Sequence, residues 1–165
     1  MNREPMTSPK LLSLSRLLEA ASRERAAGKS IVFANGAFDL LHVGHVRYLE
    51  AAKGEGDWLA VGVNSDRSVA SAKGPGRPIM PEGERAELVA ALASVDAVTI
   101  FDENSPEALI RKLAPHVHAK GTDYTADNVP EREAVASYGG RTVIVGDSKD
   151  HATSGLIERI QGRKS

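Results

Sequence analysis

The sequence contains no cysteine, and this absence excludes several chemistries at once. A chain without thiols cannot form disulfides, use a thiolate nucleophile or hold a cysteine-ligated zinc or iron–sulfur centre. Aromatic residues are also scarce, at 4% of the 165 residues, and neither charge sign predominates, because the formal net charge is −1. An overall basic surface for nucleic acid is therefore not predicted. Any attraction for a phosphorylated ligand has to be local.

Long apolar segments are missing as well. No run approaches the roughly 20 apolar residues of a membrane span, and residues 1–9 are polar and proline-containing, unlike a signal peptide. These features predict a cytoplasmic protein that binds no membrane. The length predicts one domain over residues 10–165 behind a flexible tail of residues 1–9, with no room for a fused kinase domain.

What the sequence does contain is an alternation of short apolar runs with helical patterns. The five strand-like runs are Ile31–Ala34, Trp58–Val63, Ala97–Phe101, Val117–Ala119 and Thr142–Val145. Helical patterns are predicted at 10–27 (ended by Gly28), 46–53, 82–93, 105–113, 130–138 and 153–161. Buried strands separated by helices predict a single Rossmann-like, doubly wound α/β domain, with a five-stranded parallel sheet. The Gly- and Pro-rich residues 71–82 are predicted to form a mobile loop.

Two histidines, His42 and His45, follow the first predicted strand and begin the next helix. A helix N-terminus carries unpaired N–H groups and a positive dipole, so it binds anions, usually phosphate. Gly44 between them allows a large anion to approach the backbone. Asp39, three residues earlier, is a candidate helix cap. The alternatives are a zinc pair, for which no third ligand is evident, or two incidental histidines.

The segment 35–45, with its His-x-Gly-His core, resembles the signature of the cytidylyltransferase-like nucleotidyltransferases. Segments 73–79 (Lys-Gly-Pro-Gly-Arg-Pro-Ile), 120–124 (Lys-Gly-Thr-Asp-Tyr) and 153–160 make the chain similar to the bacterial heptose-phosphate adenylyltransferases within them. The resemblance spans about Ile31 to Ile160. Two departures stand out: Ala37 replaces the family's common cysteine, and 152–154 reads Ala-Thr-Ser instead of Ser-Thr-Thr.

The resemblance implies transfer of AMP from ATP to D-glycero-β-D-manno-heptose 1-phosphate, giving ADP-heptose, a lipopolysaccharide core precursor, and pyrophosphate. It also implies a homodimer and Mg²⁺ that arrives with the triphosphate, with no protein metal ligands. The residues it implies as catalytic are His42, His45, Lys73, Thr153 and Ser154. Those implied in nucleotide binding are Asn35, Gly36, Ala37, Phe38, Asp39, Gly44, Lys120, Gly121 and Asp123. Those implied in acceptor binding are Asn64, Asp66, Arg77 and Arg85.

Several alternatives remain open from the residues alone. Lys73 can be an ordinary surface lysine, and Arg85 can belong to a helix-surface ion pair. We interpret His116 and His118 as structural, and His151 is a weak candidate for reaching the phosphates. Two rival functions remain: a CTP-dependent cytidylyltransferase acting on glycerol 3-phosphate or a similar alcohol, and a nucleotide-binding module without catalysis.

Overall fold

The computed structural model describes residues 8–148 and 152–162 of the chain. Within these ranges the elements are α1 (Leu14–Ala26), β1 (Ile31–Gly36), α2 (Val43–Lys53), β2 (Trp58–Asn64), α3 (Asp66–Lys73), α4 (Glu82–Ala90), β3 (Ala97–Phe101), α5 (Glu107–Leu113), β4 (Val117–Lys120), α6 (Arg132–Ala136), β5 (Arg141–Ile144) and α7 (Thr153–Gly162). The candidate His151 and most of the predicted tail lie outside the described residues. No helix in the described part is both long and apolar enough to cross a bilayer.

The five strands form one parallel sheet in the order β3-β2-β1-β4-β5. The predicted doubly wound architecture is confirmed. Consecutive strands add outward on one side of β1 and then on the other, so the strand order switches between β1 and β4. Ligands of open α/β sheets bind beyond the carboxyl ends of the strands at such a switch.

Helices cover both faces of the sheet, as the near-continuous apolar strands predict. One buried layer packs α2 and α4 against alternate strand residues such as Val32 and Val61, and the other packs α1, α5 and α6 against Phe33 and Ala60. Side chains along a strand point alternately to opposite faces. Asn35 therefore lies on the same face as Phe33, toward α5 and α6.

The predicted boundaries shift at both termini of the first helix and in the segment after β2. Helix α1 begins at Leu14, behind the cap Ser13, because residues 10–12 pair with the sheet edge instead: the Leu12 N–H donates to the Val98 carbonyl at 2.8 Å. The predicted loop 71–82 was placed too early, since α3 extends to Lys73. This short helix has a single buried apolar residue, Val69, and so no clear helical period.

Two further predicted helix starts are also corrected. Helix α5 begins at Glu107 with Pro106 at its N-cap, although Ser105 Oγ still accepts from the Glu107 N–H at 3.3 Å. Helix α6 is shorter than predicted and begins at Arg132, with Glu131 at its N-cap. Neither shift moves a strand end, so the site geometry is unaffected.

Candidate functional site

A cleft of about 790 Å³ opens at the carboxyl end of the sheet, around the switch between β1 and β4. The structure brings nearly all of the sequence-predicted site residues to it. Those lining the cleft are Asn35, Gly36, Ala37, Phe38, Asp39, His42, Gly44, His45, Asn64, Lys73, Arg77, Lys120, Gly121, Asp123, Thr153 and Ser154. Its volume is in the range of cavities that hold a small-molecule ligand or cofactor.

His42 and His45 face each other across the start of α2. Their ring centroids lie 3.9 Å apart, and the planes are inclined by 29°. His42 Nδ1 accepts from the Gly44 N–H at 3.1 Å, and His45 Nδ1 accepts from the His42 N–H at 3.2 Å. The two rings thus cap the helix reciprocally. The predicted cap Asp39 is wrong, because His42 itself occupies the N-cap position.

This capping determines where the imidazole protons are. A backbone N–H can only donate, so both Nδ1 atoms are acceptors and carry no proton. A neutral ring then carries its proton on Nε2. Burial, together with His42 and Lys73, lowers the pKa of His45 to about 4. Near neutral pH, His45 is therefore an uncharged ring that donates only through Nε2.

The turn between β1 and α2 is held in a strained backbone form. Phe38 and Leu40 both have positive φ, at 50° and 53°, which side-chain-bearing residues rarely adopt. The buried Phe38 ring compensates by packing against His45, with centroids 5.4 Å apart, and against Tyr48. Strain of this kind is typical of ligand-binding turns that a rigid scaffold holds in place.

Asp39 is a buried structural anchor within this turn. Its carboxylate accepts from Arg77 Nε at 3.0 Å and from the N–H groups of Ile79 and Met80 at 2.9 and 3.0 Å. Burial alone would raise the pKa of Asp39, but these three donors outweigh it and hold the pKa below its usual value. Thr153 Oγ1 donates to the Asp39 carbonyl at 2.7 Å. Asp39 therefore joins the turn, the loop after α3 and the start of α7.

Two cations reach the cleft from α3 and the loop after it. Lys73 is the last residue of α3, and Gly74 with φ 87° ends the helix there. Desolvation and the neighbouring Arg77 lower the pKa of Lys73. Arg77 uses Nε for Asp39, whereas its Nη2 is buried without a hydrogen-bond partner among the described residues. A ligand anion would satisfy that donor.

Arg85 and Asp66 do not line the cleft, in contrast to their predicted contact with the acceptor. Arg85 is fully buried, with Nη1 donating to the Ala37 carbonyl at 2.5 Å and Nε to the Met80 carbonyl at 2.9 Å. Its Nη2 pairs with Asp66 at 2.8 Å. Every guanidinium nitrogen is thus used within the protein. We assign Arg85 a bracing role behind the turn instead of a substrate contact.

Asn35 is oriented by a buried histidine that the sequence does not mark as part of the site. His118 is fully buried, and burial lowers its pKa to about 3, so its ring is neutral. Its Nε2 lies 3.0 Å from Asn35 Oδ1, and its ring stacks on Phe33. An amide oxygen only accepts, so Nε2 donates and the Asn35 amide nitrogen is left to donate elsewhere. His116 Nδ1 accepts from the Ile31 N–H, consistent with the predicted structural role.

Glu131 is a cleft residue that sequence reasoning missed. It is 5% exposed and lies at the start of α6, with its carboxylate 3.9 Å from the ammonium of Lys120, which is 7% exposed. The Lys120 ammonium also lies 4.4 Å from the centroid of the Tyr124 ring. Glu131 belongs to no recognisable motif. A single glutamate between Pro130 and Arg132 gives no sequence signal for a binding site, because only the fold brings it close to Lys120.

The described residues contain no group of three or more His, Asp or Glu side chains arranged to hold a metal ion. The Asp39 carboxylate is already committed to three N–H donors, and Asp66 lies outside the cleft. Within residues 8–148 and 152–162, the donor set therefore offers no preformed site for a protein-bound metal.

Comparisons with known proteins agree with this geometry. A family model described as cytidylyltransferase-like matches residues 33–159. The chain is 51% identical over 152 residues to the bifunctional protein HldE of Pelobacter propionicus, covering 92% of this chain and 30% of that protein. It is 48% identical over 157 residues to the bifunctional protein HldE of Geotalea uraniireducens, covering 95% and 32% respectively. The chain thus spans about a third of the length of these relatives.

A solved structure shows the same fold. The lipopolysaccharide core biosynthesis protein from Thermoplasma volcanium superposes with a TM-score of 0.64 at 29% sequence identity. The match covers 74% of this chain and all of that one.

Proposed function

Because this chain belongs to the cytidylyltransferase-like family of nucleotidyltransferases, we propose that it catalyses the transfer of AMP from ATP to D-glycero-β-D-manno-heptose 1-phosphate in this cleft. The products are ADP-heptose and pyrophosphate. The observation that carries the proposal is the reciprocal His42–His45 cap, which stacks two imidazoles at a helix N-terminus that lines the cleft and puts their protons on Nε2. The choice of a heptose phosphate rests on the likeness to the HldE proteins and to the lipopolysaccharide core biosynthesis protein.

The phosphate chain of the nucleotide would lie over the start of α2. His42, Gly44 and His45 all line the cleft there, and Gly44 carries no side chain to block a close approach. Ser154 adds a hydroxyl at the start of α7, where Thr153 uses its own hydroxyl to hold the Asp39 carbonyl. Gly121 and Asp123, which also line the cleft, would contact the nucleoside. Donors fixed in this way stabilise developing charge without reorganising.

The reaction needs positioning more than acid–base chemistry. An oxygen of the sugar 1-phosphate, already an anion, would attack the α-phosphorus of ATP. A new P–O bond forms there while the bond to the β-phosphate breaks, and pyrophosphate leaves with the electron pair. No proton has to be removed from the nucleophile, so a strong base is not required. His42 and His45 would donate hydrogen bonds to the phosphate oxygens where charge develops, Lys73 would neutralise part of that charge, and Arg77 would hold the acceptor phosphate.

Pyrophosphate release tests the proposal directly. The purified chain is incubated with Mg²⁺, each of the four nucleoside triphosphates and a panel of sugar 1-phosphates and glycerol 3-phosphate. We expect the highest kcat/KM with ATP and the heptose 1-phosphate. Faster turnover with CTP and glycerol 3-phosphate would favour the cytidylyltransferase alternative, and no turnover with any pair would leave a binding module.

A further inference from the structure

The cleft has two chemically different sides. On one side, the start of α2, Lys73 and the start of α7 present cationic or N–H donors suited to phosphate. On the other, toward α5 and α6, the lining is made of neutral amides and hydroxyls around one buried charge pair. These residues are Asn35, Asn64, Ser68, Asn104, Lys120 and Glu131, which we call the amide wall.

The sheet explains why the amide wall is continuous. Asn35, Asn64 and Lys120 lie at the carboxyl ends of three adjacent strands, β1, β2 and β4. Because side chains alternate along β1, Asn35 lies on the same face of the sheet as Phe33. His118 of β4 contacts both residues, so it lies on that face too. Lys120, two residues after His118, shares that face.

The charge pair in this wall is incomplete. Glu131 Oε2 is buried and has no hydrogen-bond partner among the residues that the structure describes, because Lys120 Nζ is 3.9 Å away, beyond hydrogen-bond distance. A buried carboxylate oxygen left without a donor costs free energy, so a native site usually completes it with water or ligand. The ligand group that fits is one that donates a hydrogen bond to the carboxylate and accepts a hydrogen bond from the ammonium. A hydroxyl does both.

We propose that the amide wall is the sugar subsite of the acceptor, with Glu131 and Lys120 binding its hydroxyl groups. The proposal rests on the proposed function and deepens it. Neutral amides supply the mixed donors and acceptors that a polyhydroxylated, uncharged ring requires. Ser68 positions one of them, since its Oγ accepts from Asn64 Nδ2 at 2.9 Å and donates to the Glu103 carbonyl.

Lys120, predicted to bind the nucleotide, is thereby assigned to the acceptor. The amide wall replaces Asp66 and Arg85 as the predicted acceptor contact, since those two residues lie outside the cleft.

The subsite also explains how the enzyme would reject smaller acceptors. A site built to bind a substrate hydroxyl discriminates strongly against analogues that lack it, because its own buried polar groups are then left unpaired. Ribose hydroxyls of ATP share the same chemistry as sugar hydroxyls. The experiment therefore has to separate the acceptor sugar from the nucleotide.

The test variant is Glu131→Gln, and the matched control is Glu133→Gln, an exposed position on α6. We measure KM for the heptose 1-phosphate at saturating ATP and KM for ATP at saturating acceptor. Glu131→Gln is expected to raise the acceptor KM roughly tenfold or more, since a hydrogen bond to a charged group is lost, while the ATP KM changes less than about twofold. A rise in the ATP KM instead, an equal rise in both, or no change in either overturns the subsite.

Two measurements keep the test decisive. If Glu131→Gln does not fold, Asn104→Ala in the exposed loop before α5 is expected to give the same split between the two KM values. Calorimetric titration of the heptose 1-phosphate into wild type and Glu131→Gln requires no turnover. Weaker binding by the variant supports the subsite even if nucleotidyl transfer fails, and equal binding or none by wild type refutes it.

Discussion

Arg85 offers the clearest test of whether a residue contacts substrate or supports the site from behind. We consider Arg85→Met, which keeps a long apolar side chain but removes the guanidinium. In the structure that group is fully buried and bonds the Ala37 carbonyl, the Met80 carbonyl and Asp66. The variant therefore removes three internal interactions and no contact with the cleft.

The expected loss of stability follows from those partners. Hydrogen bonds from a charged donor contribute about 1.5–3 kcal/mol each, so the two buried carbonyls together account for roughly 3–6 kcal/mol. Asp66 is 45% exposed and adds less than about 1 kcal/mol. For a protein of this size, 1 kcal/mol corresponds to about 2–4 °C in Tm. Arg85→Met should lower Tm by on the order of 10 °C.

Thermal unfolding and steady-state kinetics together decide the matter. Asp66→Asn is the control, because it removes the exposed partner alone and should shift Tm by only about 2 °C. Well below its Tm, Arg85→Met should bind the heptose 1-phosphate with a near-normal KM. A variant that melts like wild type but binds the acceptor poorly would refute the bracing role and restore the predicted substrate contact.

Three other predictions concern the cleft itself. His45→Ala should lower kcat by roughly a hundredfold or more while ATP binding weakens far less, because its donor acts mainly on developing charge; near-normal turnover would remove the ring from the chemistry. Lys73→Met should slow turnover at an unchanged Tm, since Lys73 ends α3 and its side chain is exposed; an unaltered rate would make it an ordinary surface lysine. Asp39, whose folded pKa lies below 3.8, stabilises the protein above that pH and loses this contribution as pH falls through the folded pKa. The difference in unfolding free energy between wild type and Asp39→Asn, measured by urea titration, should therefore shrink below about pH 4, and a constant difference would contradict it.

The fold was predictable because each strand is a short, nearly continuous apolar run. Ala97–Phe101 was predicted at its observed bounds, since its largely apolar, mostly buried run lies directly between Asp96 and Asp102. Helix α3 was missed for the opposite reason: Val69 is its one buried apolar residue, and Ser65, which caps it, is equally common in turns. The last turn of α3 was consequently assigned to the Gly- and Pro-rich loop.

The site was predictable where a residue's partners are close along the chain, and not where they are distant. His42 and His45 bond each other's helix turn within three residues, so their spacing alone indicates the arrangement. Arg85 depends on Ala37, 48 positions away, and Lys120 depends on Glu131 across the gap between β4 and α6. No periodicity or short motif records such contacts, so Arg85 was assigned to the substrate and Glu131 was overlooked.

In the reciprocal cap at the start of α2, the two nitrogens of each imidazole have different roles. Nδ1 accepts the backbone N–H that holds the first turn of the helix, and Nε2 carries the proton. Alanine replacement at either histidine removes both duties, so a lost rate can reflect an unravelled turn. In His42→Asn, the asparagine would still cap the helix, because asparagine is a preferred N-cap residue, but the imidazole would be gone. Turnover by this variant would show whether capping or the imidazole itself limits the rate.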